Sequence, residues 1–311
     1  SSADDQGGAG EFLQQLQEQG EIFRYYGFAG PDGPGFQIHE HFAEDWVLAL
    51  LTTNRSMRLG LEDVQGYNPA NLQRYLATFA AINGMTRDYH EALVYRQGIG
   101  SPVLDMLNAC YVIIPNDSSL LFDDEGAVDL PSGYTLVFSN DTVSIYKNPN
   151  ALPRAWIVHS AVEQTDTVAV DMIASGEIDP RTTAVVEVTP PALSAITVAD
   201  TDQVRVTKND ADTVELIATT SNTGMLVLGD AYDPNWTVTV DGKASQFYAV
   251  NTILRGVVVG EGTHTIIFKY QPVSLRAGFA VSIVSIAAAL AFVGWCVLDQ
   301  RRRKLRTSAI V

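Results

Sequence analysis

The sequence predicts an α+β fold: a small mixed α/β N-terminal domain, then an antiparallel β-sandwich, then one C-terminal transmembrane helix. Three observations carry this. Within residues 11–150, apolar residues recur at helical spacing in some segments and gather into short strand-like runs in others. From Thr183 to Tyr270 nearly every segment is short, β-branched and bounded by turn dipeptides. Ala277–Leu298 is then 22 residues without a single charge.

Residues 1–10 are small and polar and read as a linker. Glu11–Gly20 places Phe12, Leu13 and Leu16 at helical spacing and ends at a glycine, the usual helix stop. Ile22–Phe28 is a strand candidate that runs into a Gly/Pro-rich loop, Gly30–Gly35. A second helix is expected from Asn68-Pro69, with Leu72, Tyr75, Leu76 and Phe79 on one face. Tyr111–Ile114, Tyr134–Phe138 and Val143–Tyr146 complete a modest sheet in residues 11–150.

The pattern changes after Asn148-Pro149-Asn150. Ala155–Ser160 reads as a strand, and Asp166–Ala174 as a helix capped by Thr165 and ended by Gly176. Seven strands follow: Ala184–Val188, Gln203–Thr207, Thr213–Thr219, Met225–Leu228, Thr237–Val240, Ile253–Val259 and Thr263–Tyr270. Val238 and Val240 alternate with Thr237 and Thr239, so one face of that strand is buried. Asp241-Gly242 is the strongest hairpin signal, because both residues tolerate the left-handed conformation of a type I′ turn. Residues 151–272 thus read as a sandwich standing on the apolar segment.

At a rise of about 1.5 Å per residue, 22 residues give a helix of roughly 33 Å, enough to cross the hydrocarbon core. Residues 1–276 carry 15 Lys and Arg against 35 Asp and Glu, whereas 299–311 carry five basic residues against Asp299. The basic cluster Arg301, Arg302, Arg303, Lys304 and Arg306 directly after the span is expected on the cytoplasmic side, with residues 1–276 outside. The acidic body excludes nucleic-acid binding through phosphate neutralisation. The chain begins at Ser1 without a signal peptide, so the reading expects either a removed signal or the C-terminal piece of a longer membrane protein. Cys110 and Cys296 fall on opposite sides of the expected bilayer boundary and form no disulfide framework, which points to a bacterial cell surface.

Catalytic motifs fail in turn. His90-Glu91-Ala92-Leu93-Val94 has Val where a zincin helix needs its second His. His39-Glu40-His41, with Glu44 and Asp45, is the densest group of potential ligands, but it lacks a third His and reads as a solvated loop. Gly30–Gly35 lacks the spacing of a phosphate cradle, and Asp123-Asp124-Glu125 lacks that of a calcium loop. Cys110 sits in an apolar run and reads as an inert core thiol. No catalytic residue, metal set or cofactor is therefore expected. Among Tyr25, Tyr26, Trp46, Tyr67, Tyr232 and Trp236, residue types that stack on sugar rings, Tyr232 and Trp236 are the candidate ligand contacts.

The stretch Ala151-Leu152-Pro153-Arg154-Ala155, then Ile178-Asp179-Pro180, and the long block Gly224–Pro272 resemble the C-terminal region of the YfhO family of bacterial membrane proteins. The block carries Tyr232, Pro234, Trp236, Val240-Asp241-Gly242-Lys243, Asn251, Arg255, Gly262, His264 and Tyr270-Gln271-Pro272. Asn235 stands where the family has Gly, and Asn is the non-Gly residue that best tolerates positive φ. Phe23-Arg24 and Gly66–Tyr75, which includes Arg74, resemble earlier extracytoplasmic segments of the family.

The resemblance implies a polytopic protein whose N-terminal helices are similar to those of lipid-phosphosugar-dependent glycosyltransferases. The family's catalytic acids lie in an early external loop that this sequence does not contain, so no catalytic residue is carried over. Two readings remain open. In the first, the chain is the extracytoplasmic part of a bacterial cell-membrane protein, accessory to transfer of sugars from a lipid-linked donor to an envelope glycopolymer or lipid. Its expected partners are then the bilayer, the donor or glycopolymer, and the protein's own membrane core. In the second, it is a non-enzymatic single-span surface module that binds carbohydrate or protein through its sandwich.

Overall fold

A computed structural model describes residues 8–29, 44–52, 54–67, 72–85, 91–117, 128–194 and 202–308. The Gly30–Gly35 loop, His39–His41, Asn68–Asn71, His90 and Asp123–Glu125 lie outside the described residues.

The first helix, α1 (Ala9–Glu18), starts at Gly8 with φ 79°, two residues before the expected position, and buries Ala9 and Leu13 completely. Strand β1 (Arg24–Gly27) is followed by two short helices, α2 (Asp45–Ala49) and α3 (Ser56–Leu59). A Cβ on Gly27 would come within 2.1 Å of the Leu50 carbonyl oxygen, so only glycine lets β1 lie against the end of α2. Next come β2 (Gly66–Tyr67), α4 (Gln73–Asn83), β3 (Glu91–Ala92) and α5 (Pro102–Met106). In α5, which the sequence pattern did not reveal, Ser101 Oγ accepts the Val103 N–H and Pro102 opens the helix. The sheet of this region joins β1 to β4 (Ala109–Pro115), β5 (Thr135–Ser139) and β6 (Val143–Lys147) in the order β1-β4-β6-β5. All its pairs are antiparallel except β1 with β4.

Beyond residue 150 the expected strand Ala155–Ser160 is divided by His159 into β7 (Ala155–Val158) and β8 (Ser160–Glu163). Helix α6 (Asp166–Ala174) has the expected bounds, although the Thr165 side chain makes no capping hydrogen bond. Strands β9 (Thr183–Val186), β10 (Gln203–Asn209), β11 (Thr213–Thr220) and β12 (Gly224–Leu228) follow. Then come β13 (Trp236–Val240), β14 (Lys243–Ser245), β15 (Phe247–Val250), β16 (Leu254–Val259) and β17 (Gly262–Tyr270). They form a five-stranded sheet, β10-β11-β17-β13-β14, facing a six-stranded one, β7-β12-β16-β15-β9-β8. One pair departs from the antiparallel expectation: β8 and β9 are parallel, because α6 is the crossover between them. The ends of the six-strand order are β7 and β8, separated only by His159, so this sheet curls until its two ends meet at that residue.

Burial follows from the layering. Leu216, Ala218, Leu226, Leu228, Val238, Val257, Ile266 and Phe268 fill the space between the two sheets. The other face of the six-stranded sheet, with Trp156, Val158, Met225 and Val227, joins the apolar core that includes Tyr25, Phe79 and Leu104. Helix α6 closes that junction by packing on α4 and α5. Both faces of β12 are thereby covered and all five of its residues are buried, whereas β11 alternates along its length. The Asp241-Gly242 hairpin forms as expected, with φ 52° and 76° and Val240 paired to Lys243.

Two residues after β17 begins α7 (Val273–Ser308), within whose segment Val273–Gln300 the most apolar 18-residue window has a mean hydropathy of 2.4 and is entirely unburied. It is long and apolar enough to cross a membrane, and the helix extends beyond both ends of the expected span 277–298.

Candidate functional site

Five charged residues from five segments meet where the mixed N-terminal region joins the sandwich. Arg24 opens β1, Glu62 follows α3, Arg154 precedes β7, Asp230 follows β12, and Arg255 lies in β16 opposite Leu228. Local backbone bonds set the approach. Tyr25 N–H donates to the Glu62 carbonyl at 3.1 Å, and Gly229 N–H to the Arg154 carbonyl at 2.8 Å. Asp230 Oδ1 then receives Arg24 Nη2 at 2.8 Å and Arg154 Nη2 at 2.7 Å, while Oδ2 receives Arg255 Nη2 at 3.0 Å. Glu62 Oε2 pairs with Arg24 Nε at 3.2 Å and Arg154 Nη1 at 2.7 Å, and Oε1 accepts Asn209 Nδ2 at 3.0 Å. Arg24 also donates to the Gly229 carbonyl.

The charges are desolvated: the side chains of Arg154, Arg255 and Asp230 are 5%, 4% and 8% exposed. Burial by itself raises the Asp230 carboxyl, but Arg154, Arg24 and Arg255 outweigh it and hold the group below its ordinary value. Glu62 is held low in the same way by Arg154 and Arg24 against its burial. Burial lowers Arg255 to about 10, opposed by Asp230 and reinforced by Arg154 and Arg24, so it still carries its proton at neutral pH. Among the described residues its Nε and Nη1 have no hydrogen-bond partner, and its guanidinium lies 3.8 Å from the Trp236 ring centroid. Ionised carboxylates saturated by arginines offer neither a general acid nor a nucleophile. Chemically, this junction is a clamp.

Trp236, one of the two expected ligand contacts, is 9% exposed, with Arg255 over its ring and Tyr270 5.3 Å away. Tyr232 is half-buried, 5.3 Å from Phe247 and beneath the Arg74 guanidinium at 5.4 Å. Arg74 in turn pairs with Glu187 and donates to the Thr252 carbonyl at 2.8 Å. Asn235 does not adopt positive φ; instead its N–H and side-chain amide both donate to Asp233 Oδ1 at 2.8 Å, so the Gly-to-Asn exchange costs no left-handed strain. The left-handed non-glycine positions fall later, at Asp241, Asn251 and Thr252. The fully buried Asn251 accepts the Val185 N–H at 2.8 Å and so fixes β9 to the β15–β16 turn.

Cys110 is half-buried and burial pushes its thiol up to about 11, which leaves it protonated at neutral pH. Glu44 accepts the Trp46 indole N–H, and Asp45 opens α2. Among the described residues no group of three or more His, Cys, Asp and Glu is arranged to hold a metal ion.

A second locality has no counterpart in the sequence reading. Between the edge strands β7 and β10 lies a cleft of about 990 Å³. His159 Nε2 and Asp202 Oδ2, 2.8 Å apart, tie the β7–β8 corner to the start of β10, and His159 Nδ1 meets the Thr223 carbonyl at 3.2 Å. Arg181, Arg205, Ser160, Thr182 and Gln203 also line the cleft. His159 and Asp202 are 43 positions apart, and no motif links them.

No curated protein and no solved structure matches the chain. Residues 193–282 match the family model described as bacterial membrane protein YfhO. This stretch contains Trp236, Asn251, Arg255 and the first turns of α7, the residues through which the sandwich reaches the clamp and the apolar helix. Over residues 193–282, from the β9–β10 connection to the first turns of α7, the chain is similar to the YfhO family of bacterial membrane proteins.

Proposed function

We propose that residues 1–276 form an extracytoplasmic body of a glycosyltransferase-like membrane protein, accessory to the transfer of sugars from a lipid-linked donor to an envelope glycopolymer or lipid. The observation that carries the reading is the join at Tyr270–Val273: the last strand of the sandwich enters an exposed apolar helix with two residues between them. A basic cluster at the far end of that helix and an acidic body before it favour the outside for the body. The clamp supports the same reading, because it holds the N-terminal region and the sandwich as one unit above the helix and presents a fixed surface to a substrate.

Orientation is tested with single cysteines in a chain whose Cys110 and Cys296 are replaced by Ser. In intact cells, a membrane-impermeant maleimide is expected to label Thr237→Cys in the sandwich, and to label Thr307→Cys in the tail only after permeabilisation. The reverse pattern sinks the proposal. The sugar-transfer role is tested by comparing envelope glycans of cells that carry the whole protein with those of cells that lack it. An unchanged glycan profile leaves only the non-enzymatic binding module.

A further inference from the structure

We propose that the cleft between β7 and β10 binds an acidic saccharide, a short sugar chain bearing carboxylate or phosphate groups. The proposal rests on the reading of the body as a glycan-handling module, and adds the charge of the ligand and the residue that selects it.

Charge is the first argument. Residues 1–276 hold 35 carboxylates against 15 Lys and Arg, so the body as a whole repels anions. The cleft sets two guanidiniums, Arg181 and Arg205, against that background, and the charge of Arg205 is the one that no carboxylate pairs with among the described residues. The two arginines differ in freedom. Arg181 is anchored, 3.5 Å from both Asp105 and Asp179 and donating to the Asn150 carbonyl. Arg205 is exposed on the edge strand and has no ion pair among the described residues. An unpaired guanidinium presents a planar fork that matches carboxylate or phosphate bidentately.

Size and lining supply the second argument. A volume of about 990 Å³ stands at the large end of small-molecule sites, which accommodates an oligomer and not only a free ion. Ser160, Thr182 and Gln203 are exposed on its walls and carry the paired donor and acceptor atoms that sugar hydroxyls require. The His159–Asp202 contact fixes the corner of the frame, so the ligand meets preformed walls.

The test is calorimetric titration of the full chain in neutral-lipid nanodiscs with four probes: a tetrasaccharide of uronic acids, a phosphorylated tetrasaccharide, a neutral glucan of the same length, and inorganic phosphate. At least one acidic saccharide is expected to bind about tenfold or more tightly than the glucan, and the tighter of the two identifies the anionic group. R205A is expected to remove about tenfold of that affinity at an unchanged melting temperature, and R205K to restore it only in part because the fork is lost. Equal binding of glucan and acidic chains, or full affinity in R205A, overturns the proposal. So does inorganic phosphate competing as strongly as the saccharides, since the cleft would then hold a simple anion. None of these results alters the cysteine-labelling pattern, so this proposal and the proposed orientation fail separately.

Discussion

The clamp and the cleft use the same side chains to opposite ends. Around the buried Asp230 three guanidiniums converge, two of them shared with the partly exposed Glu62; in the cleft Arg205 faces solvent with no ion pair among the described residues. Position in the sheets explains the difference. Arg255 lies in β16, flanked by β12 and β15 and covered on its ring side by Trp236, whereas Arg205 lies on β10, the edge strand of its sheet among the described residues. A buried arginine is committed to the fold because leaving its charge unpaired is costly, while an edge-strand arginine remains available to a ligand.

The comparison breaks most sharply at Asp230. Asp230→Asn leaves Arg24 and Arg154 sharing the single carboxylate of Glu62, which is itself 37% exposed, and takes from the buried Arg255 the carboxylate it pairs with. Removing one partner from a buried ion cluster costs about 3–5 kcal/mol, and chemical denaturation should register a loss of that order. A change below about 1 kcal/mol would mean that water or a mobile counter-charge already serves the clamp. Trp236→Ala comes next, removing a buried ring and the platform under Arg255, with an expected loss of about 3 kcal/mol. Tyr232→Ala should cost less, about 1–2 kcal/mol, because that ring is half-buried. If either variant lost saccharide affinity while keeping its melting temperature, the aromatic pair would belong to the binding surface and not to the clamp. At the other extreme, Arg205→Ala should change stability by no more than about 0.5 kcal/mol.

How legible these two sites were in the sequence depends on how local their signals are. Alternation of Thr237 and Val238 in β13, the turn at Asp241-Gly242 and the bounds of α6 are written within a few residues, and the structure has them where the pattern puts them. Strands β8, β14 and β15 were missed for two reasons. Ser160–Glu163 continues β7 without a turn residue, and β14 and β15 are short, the first polar and the second only four residues long. The clamp is assembled from positions 24, 62, 154, 230 and 255, and no periodicity connects them. One local sign was available: Arg255 interrupts the otherwise apolar run Ile253–Val259, and a charge inside such a strand must find a partner in the core. The cleft gave a weaker sign: His159 ends the apolar run Ala155–Val158, but nothing in the sequence points from it to Asp202, 43 positions on among polar neighbours.

Between the two extremes lies a third ion pair, half in solvent. His264 Nδ1 contacts Asp241 Oδ2 at 2.7 Å, and Asp241 Oδ1 accepts the Thr265 N–H at 2.9 Å, which ties the β13–β14 turn to β17. The hydrogen bond to Asp241 raises the His264 imidazole above its ordinary value. The hydrogen bond from His264, then that from Thr265, lowers the Asp241 carboxyl. The histidine contribution is full below the unfolded value of 6.5 and is lost as pH rises through the raised folded value. The aspartate contribution is full above the unfolded value of 3.8 and is lost as pH falls through the lowered one. The melting-temperature gap between the native chain and His264→Ala should therefore be widest between pH 3.8 and 6.5 and narrow on the alkaline side. A gap that stays constant across this range would show that His264 acts through packing alone, and would place this pair with the clamp, where both carboxylates are held ionised by arginines that keep their protons at neutral pH.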